Sequence, residues 1–225
     1  MNKICELYSI KNSSENFSHG GKRIDSFKEE NNFKPLISII TVVKNGERFL
    51  NETFKSVFNQ SFKNWEYIVI DGNSTDKTID IIKDNQNMIN YWVSEKDDGI
   101  YYAFNKGLSL ARGQLIGFVN SDDTLEKNAL NILSDYYKKN PDKDFFFGAV
   151  KKHWGVLHGF KPEKIHYSWG FYSSHSTGFF IKKEAAKKVG YYNVKYKYHS
   201  DYDYFYRMIV KEKLKGIATK KNELF

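Results

Sequence analysis

A run of eight residues, 36–43, constrains the fold more than any other feature of this chain. Six of its residues are β-branched, and it lacks the strict alternation of polar and apolar side chains that a half-exposed strand shows. Asn45 and Gly46 follow it, a pair that is typical of turns. The run therefore predicts a strand with both faces buried, as in the centre of a parallel sheet.

Short apolar strands and helices alternate along the chain after this run. Because parallel strands need crossover connections, the alternation predicts an α/β fold, with a mostly parallel, Rossmann-like sheet flanked by helices in a single domain. Ligands of such sheets bind beyond the carboxyl ends of the strands. The other predicted strands are 65–70, 91–93, 115–119, 145–147 and 177–181, and the predicted helices are 49–58, one after Asp76, 100–111, 125–138, 183–189 and 201–213.

The pattern changes at two points. Residues 1–34 are polar and aperiodic and predict an N-terminal extension. After Gly148 the alternation loosens into an aromatic, basic stretch, which separates residues 35–148 from residues 149–225. No element that would close the fold is evident after the last predicted helix.

Composition excludes several classes of protein. With 40% hydrophobic and 17% aromatic residues the chain is not disordered as a whole. Its single cysteine, Cys5, excludes an internal disulfide and a multi-cysteine zinc site. No apolar run approaches the roughly 20 residues that span a bilayer, and the first thirty residues lack a secretory signal. These features predict a cytoplasmic protein.

The formal net charge is +8, from 35 basic and 27 acidic residues. Only four of the basic residues are arginines, and the lysines are scattered through a chain rich in Asn, Ile, Phe and Tyr, a profile that coding bias also produces. The charge by itself indicates a weak preference for anionic partners such as phosphates, nucleic acid or acidic lipid surfaces.

Carboxylates follow two of the predicted strands. Asp71 comes directly after strand 65–70, too early to cap the next helix, whereas Ser74 and Asp76 are candidate caps. Asp122 and Asp123 come after strand 115–119. The segment Asp-Thr-Leu-Glu that starts at Asp123 has the spacing of a capping box, which explains Asp123 but leaves Asp122 unexplained.

A third group, Asp201 and Asp203, lies at the start of the last predicted helix. Residues two apart do not share a helix face, and Asp203 has Arg207 as an i, i+4 partner. Asp203 is therefore predicted to be structural, which leaves Asp201 for a site.

Two common nucleotide-binding motifs and one motif for a serine nucleophile are missing from the sequence. The chain has no Gly-x-x-x-x-Gly-Lys-Ser/Thr loop, no Gly-x-Gly-x-x-Gly turn and no Gly-x-Ser-x-Gly elbow. A phosphorylated ligand would need lysines and a carboxylate-bound metal to balance its charge. Mg²⁺ and Mn²⁺ typically bind through one or two carboxylates plus substrate phosphates, a description that Asp122 and Asp123 fit.

Several ordered blocks resemble family 2 glycosyltransferases with the GT-A fold, over roughly residues 35–210. The resemblance implies an inverting, metal-dependent enzyme of hexosyltransferase type. It would move a sugar from a nucleotide-diphosphate donor, first of all a UDP-sugar, to a hydroxyl of a growing glycan. The glycan would be capsule, lipopolysaccharide or a related polymer, free or lipid-linked. The implied cofactor is Mn²⁺ or Mg²⁺. The blocks are 36–46, 56–60, 71–78, 94–101, 105–107, 120–123 and 200–203, together with His175.

By position, the resemblance implies donor contacts for five residues of the nucleotide-sugar-binding half, 35–148. Val42 and Asp71 would contact the base, Asp122 the ribose, and Asp123 the metal on the diphosphate. Asn105 would belong to the same nucleotide-sugar site.

The acceptor-binding half implied by the resemblance is 149–225. There Asp201 would be the general base that deprotonates the acceptor hydroxyl. His175 and Trp169 would face the acceptor, although a lone histidine among aromatic residues is more often structural and Trp169 also fits a core or a lid. Family members usually continue past the last predicted helix, so a C-terminal truncation is one interpretation of where this chain ends.

Other functions stay open from the sequence alone. A sugar nucleotidyltransferase shares such a sheet and metal but needs a glycine-rich, basic loop after its first strand, where only Lys44 and Gly46 stand. A non-catalytic basic binding module would explain the charge. We expect no nucleic-acid partner, because the lysines of 143–221 fit diphosphates and peripheral contact with the inner face of the cell membrane.

Overall fold

The computed structural model describes residues 17–25, 34–166 and 176–225. The described strands, numbered in chain order, are β1 Ser18–Gly20, β2 Ile37–Val43, β3 Trp65–Asp71, β4 Tyr91–Ser94, β5 Leu115–Phe118, β6 Phe145–Phe147, β7 Val150–Lys152, β8 Gly155–Leu157, β9 Phe179–Lys182 and β10 Gly216–Ala218. The described α-helices are α1 Lys22–Asp25, α2 Leu50–Phe58, α3 Thr78–Asp84, α4 Ile100–Leu110, α5 Ala129–Lys139, α6 Lys183–Val189 and α7 Ser200–Tyr206.

Eight strands form one sheet in the order β1-β4-β3-β2-β5-β9-β6-β10. The four strands β4, β3, β2 and β5 are parallel to one another. Strand β9 is antiparallel to both β5 and β6, and β10 is parallel to β6. The predicted α/β fold with a mostly parallel sheet in a single domain is confirmed. The chain order reverses at β2, which has β3 on one side and β5 on the other.

The central strand β2 is buried along its whole length, as predicted. Successive side chains of a strand point to opposite faces, so β2 serves two cores. Ile40 and Val42 pack in the core on the side of α4, while Ile37 and Ile39 pack in the core that includes residues of α2 and α5. This double burial holds the carboxyl end of β2 in place.

Helix α5 begins at Ala129, so the predicted capping box that starts at Asp123 is wrong. Contacts with α2 and the residues after it replace the cap. The Leu125 N–H donates to Ser56 Oγ, Gln60 Nε2 donates to the Glu126 carbonyl, and the Leu130 N–H donates to Gln60 Oε1. Residues 123–128 therefore run along α2 before the helix starts.

Two further boundaries differ from the predictions by two residues or more. Strand β9 starts at Phe179, after a 3₁₀ turn at Ser176–Gly178, and not at residue 177. The helix predicted over 201–213 is α-helical only over Ser200–Tyr206 and continues as a π-helical turn, Arg207–Lys211.

Segments near both ends of the chain join the sheet. Strand β1 pairs antiparallel with β4, and buried Arg23 forms an ion pair with buried Glu66. At the other end β10 pairs with β6, and Phe225 is 4% exposed. The expectation that no element closes the fold after the last helix is therefore wrong. In the described parts of the chain, no helix is long and apolar enough to cross a bilayer.

Candidate active site

The carboxyl ends of β2 and β5 meet at a cleft that consists of two adjoining cavities of about 390 and 300 Å³. The cleft lies where the chain order reverses at β2, the usual position of a ligand site in an open α/β sheet. Val42, Ile100 and Ser121 line both cavities. The larger cavity is also lined by Lys44, Asp97 and Asp98, and the smaller one by Tyr101, Asn120, Asp122 and Asp201.

The loop after β2 is tied to the loop after β3. Backbone N–H groups of three successive residues, 45–47, donate to Ser74 Oγ at 2.7 Å, Thr78 Oγ1 at 2.8 Å and Asp76 Oδ2 at 3.1 Å. Burial alone would raise the pKa of Asp76, but the hydrogen bonds from Thr78 and from the backbone of Glu47 outweigh it and lower that pKa. These three amides are therefore engaged within the protein.

Asp71, the last residue of β3, joins the loop after β3 to the end of β4. Asp71 is 1% exposed. It accepts hydrogen bonds from the Ser74 N–H at 3.0 Å, the Ser74 hydroxyl at 2.5 Å and the Ser94 hydroxyl at 2.6 Å. In this arrangement Asp71 shapes the edge of the cleft, and its contact with a nucleotide base stays a prediction.

Adjacent Asp122 and Asp123 have different surroundings. Asp122 is exposed and lines the smaller cavity. Asp123 is half-buried, and its Oδ2 accepts hydrogen bonds from Asn120 Nδ2 at 2.9 Å and from the Thr177 hydroxyl at 2.6 Å. Thr177 comes from the 3₁₀ turn before β9, so the fold itself orients the Asp123 carboxylate.

These two carboxylates fit an open divalent-cation site. Among the described residues, no three His, Cys, Asp or Glu side chains are grouped so that they could hold a metal ion by themselves. Mg²⁺ and Mn²⁺ do not need such a cage, because they take one or two carboxylates and complete their coordination with substrate phosphates and water. Oriented Asp123 beside exposed Asp122 matches that requirement.

Asp201 lies at the first turn of α7 and lines the same cavity as Asp122. His199 precedes the helix in the left-handed conformation, with φ of 65°. Tyr101 of α4 holds this turn, since its hydroxyl accepts from the Ser200 N–H at 3.1 Å and donates to Asp201 Oδ1 at 3.4 Å. Burial and the charge of Asp201 both raise the pKa of Tyr101, so it remains a donor at neutral pH.

Asp203 has the structural role that its spacing predicted. Its Oδ2 accepts a hydrogen bond from Arg207 Nε at 2.8 Å. Arg207 also donates to the carbonyls of Val189 and Tyr191. The pair therefore ties α7 to the end of α6, while Asp201 is left facing the cleft.

Asn105 is fully buried on α4. Its Nδ2 donates to the Tyr192 carbonyl at 2.9 Å, and its Oδ1 accepts from the Tyr192 N–H at 2.8 Å. The Tyr192 ring stacks between Tyr101 and Tyr204. In this structure Asn105 is thus a positioning residue for the segment that leads to α7, and direct contact with a donor stays a prediction.

Asp97 and Lys44 line the larger cavity, a role that was not predicted from the sequence. Burial raises the pKa of Asp97, against the opposing effect of a hydrogen bond from the Gly99 N–H and of nearby Lys44 and Lys106. Glu95 and Lys106 form a largely buried ion pair next to this position. The rule that located Asp71, an acid just past a strand end, also applies to Asp97 and could have found it.

The predicted acceptor-side residues His175 and Trp169 lie in 167–175, outside the described residues. Val42 has the position expected of a donor contact, since it is at the end of β2 and lines both cavities. The structure thus brings Val42, Asp122 and Asp201 together on the cleft, with Asp123 beside Asp122.

The profile of glycosyl transferase family 2 matches residues 38–215, most of the chain. The chain belongs to this family. Over 102 residues it is 37% identical to the putative teichuronic acid biosynthesis glycosyltransferase TuaG of Bacillus subtilis, a match that covers 44% of this chain and 40% of TuaG.

Solved structures share the fold. The match to S. aureus TarS 1–349 in complex with UDP-GlcNAc has a TM-score of 0.69 at 19% identity and covers 84% of this chain and 56% of that one. The match to mannosyltransferase PcManGT from Pyrobaculum calidifontis, in complex with GDP-Man and Mn²⁺, has a TM-score of 0.64 at 15% identity and covers 84% and 55%. The predicted GT-A fold is confirmed. This chain spans between two fifths and three fifths of the length of these relatives.

Proposed function

We propose that this chain is an inverting glycosyltransferase that moves one sugar from a nucleoside-diphosphate donor to a hydroxyl of a growing surface glycan. The observation that carries the proposal is the cavity that Asp122 and Asp201 line together, with Asp123 adjacent, at the carboxyl edge of a family 2 sheet. One side of this cavity can hold a diphosphate while the other presents a base to an acceptor.

The relatives support particular partners. TuaG is named for teichuronic acid biosynthesis, which favours a cell-surface polysaccharide, free or lipid-linked, as the acceptor. TarS was solved with UDP-GlcNAc, which makes UDP-sugars the first donors to test. PcManGT was solved with GDP-Man and Mn²⁺, which supports a divalent cation. Peripheral contact of this chain with the inner face of the cell membrane belongs to the same proposal.

In the proposed reaction the acceptor oxygen attacks the anomeric carbon from the side opposite the diphosphate. The new glycosidic bond forms as the bond from the anomeric carbon to the phosphate oxygen breaks, so the configuration inverts. Asp201 takes the proton of the acceptor hydroxyl, which makes a poor nucleophile reactive. Tyr101 keeps the Asp201 side chain on the cleft through its hydroxyl.

The leaving group is the nucleoside diphosphate. A divalent cation, when bound at Asp123, would neutralise the charge that develops on it. Asn120 and Thr177 hold the Asp123 carboxylate in one orientation for this purpose. Val42 at the end of β2 would contact the base and exposed Asp122 the ribose, and Asp71 would act on the base side by shaping the loops around it.

The loop after β2 argues against a sugar nucleotidyltransferase. Such an enzyme needs free backbone amides in this loop to bind the phosphates of a nucleoside triphosphate. Here the N–H groups of residues 45–47 donate to side chains of the loop after β3. A diphosphate held by a cation at Asp123 would not need free backbone amides in this loop.

The test is incubation of the purified chain with a panel of UDP-, GDP- and other nucleotide sugars in Mn²⁺, Mg²⁺ or chelator. We expect release of the nucleoside diphosphate from at least one donor, dependent on a divalent cation. Pyrophosphate release from a nucleoside triphosphate and a sugar 1-phosphate would instead indicate a nucleotidyltransferase. No binding and no donor hydrolysis across the whole panel would contradict the proposal.

A further inference from the structure

The net positive charge of the chain comes from its C-terminal third. Residues 149–225 carry 16 basic and six acidic side chains, a formal charge of +10, whereas residues 1–148 carry 19 basic and 21 acidic side chains, a formal charge of −2. A coding bias toward lysine does not explain this asymmetry, because it would act on both parts of the chain alike. The basic part therefore has a surface suited to an anionic partner.

A tryptophan projects from this basic part at the turn between β7 and β8. The two strands form a separate two-stranded sheet in which Lys152 pairs with Gly155, so His153 and Trp154 form the turn. Trp154 is 63% exposed. Lys151 and His153 are also exposed. Trp154 lines neither cavity of the cleft.

The same combination occurs a second time in the basic part. Tyr196 and Tyr198 are 48% and 67% exposed and alternate with exposed Lys195 and Lys197. Tryptophan and tyrosine concentrate where a bilayer meets water, because their rings are apolar and their N–H or O–H groups reach water. Lysines beside them add attraction to anionic headgroups.

The shape of the hairpin favours a bilayer over a sugar chain. Sites for small ligands are concave and enclose them. The turn between β7 and β8 is the tip of a hairpin whose largest side chain is more than half exposed. A tip of this kind contacts a broad surface more readily than a single sugar ring.

We propose that the hairpin tip, residues 151–155, docks this protein on an anionic lipid bilayer. Trp154 enters the headgroup region, and Lys151 and Lys152 contact lipid phosphates. The docking specifies the peripheral membrane contact of the proposed function but depends on no step of sugar transfer, so it can be tested by itself.

The experiment is co-sedimentation of the full chain with vesicles of phosphatidylglycerol or of phosphatidylcholine, at low and high salt. We expect binding to phosphatidylglycerol that falls at high salt, and weak binding to phosphatidylcholine. Lys151→Glu/Lys152→Glu should lower the partition coefficient at least about tenfold, because each lysine near an anionic surface contributes roughly fivefold. Trp154→Ala should lower it several-fold, with Trp154→Phe in between.

The chain offers matched controls in its other part. Lys138→Glu/Lys139→Glu on α5 changes the net charge by the same amount at two exposed lysines, and Met88→Ala removes another exposed apolar side chain, 44% exposed. Both should leave the partition coefficient close to that of the wild type. Donor hydrolysis measured without vesicles should be unchanged in Trp154→Ala, which separates this proposal from the proposed function.

Three outcomes would overturn the proposal. One is equal binding of the wild type to both lipids. Another is an equal loss of binding in the two lysine variants, which would mean that total charge and not the hairpin matters. The third is unchanged vesicle binding by Trp154→Ala together with Trp154-dependent binding to a soluble acidic polysaccharide such as polygalacturonate, which would assign the hairpin to the glycan.

Discussion

Asp201 and Asp203 allow a paired test of the proposed reaction. They lie two residues apart on α7, and the same change, Asp to Asn, removes one charge from each. Asp201 lines the cleft, whereas Asp203 accepts a hydrogen bond from Arg207 at 2.8 Å. We therefore expect Asp201→Asn to impair transfer and Asp203→Asn to impair only stability.

The magnitudes follow from these contacts. Loss of a general base lowers kcat by about 10²- to 10⁴-fold. Asp201→Asn should change the free energy of unfolding by less than about 0.5 kcal/mol, because Asp201 is partly exposed and the contact with Tyr101 is long, at 3.4 Å. Asp203→Asn should lower the free energy of unfolding by up to about 1 kcal/mol, the upper range for a solvent-accessible ion pair. Arg207 keeps its two carbonyl acceptors, so α7 should stay in place.

The assay measures kcat and KM for sugar transfer, the dissociation constant of the nucleoside diphosphate, and urea unfolding for both variants. Asp201→Asn should bind the nucleoside diphosphate as the wild type does, since the loss is confined to the acceptor side. If kcat of Asp201→Asn is within about tenfold of the wild type, or if Asp203→Asn loses as much activity, Asp201 is not the base.

Three other substitutions test separate parts of the structure. Asp123→Asn should remove the stimulation of donor binding by Mn²⁺ in calorimetry, and equal stimulation in variant and wild type would refute the metal assignment. Asp97→Asn should raise the free energy of unfolding at neutral pH and have no such effect below the usual carboxyl pKa. The reason is that a raised pKa means stability is lost as the pH rises and Asp97 ionises; the same urea midpoint for variant and wild type at neutral pH would contradict this. Arg23→Met should lower the free energy of unfolding by about 3 kcal/mol, because it leaves Glu66 charged and buried, and a loss like that of the neighbouring Lys22→Met would argue against it.

Local sequence patterns were sufficient to predict the central strand and one ion pair. The run at 36–43 predicted β2 because a strand buried on both faces has no polar alternation, and its burial is complete. The i, i+4 spacing of Asp203 and Arg207 predicted their ion pair, since helix geometry alone brings such residues together. In both cases the determining distances lie within a few consecutive residues of the chain.

Predictions failed where contacts distant in sequence replaced a local rule. Asp123 has the spacing of a helix cap, but Gln60 accepts the hydrogen bond at the start of α5. The Asp123 carboxylate instead accepts hydrogen bonds from Asn120 and Thr177. The amide of Asn105, a predicted donor-site residue, is bonded to the backbone of Tyr192, and its contact with a donor stays a prediction. The sequence around Asp123 and Asn105 contains no pattern that predicts these partners.

The sequence by itself determined that carboxylates meet at one edge of the sheet, because acids that follow parallel strands reach the same edge whatever the details of packing. Only the tertiary structure decided how those acids differ: Asp71 is buried under three hydrogen bonds, Asp122 is open to the cleft, and Asp123 is oriented by Thr177. Solvent access and hydrogen-bond partners set what a carboxylate can do, and both come from segments far apart in the chain.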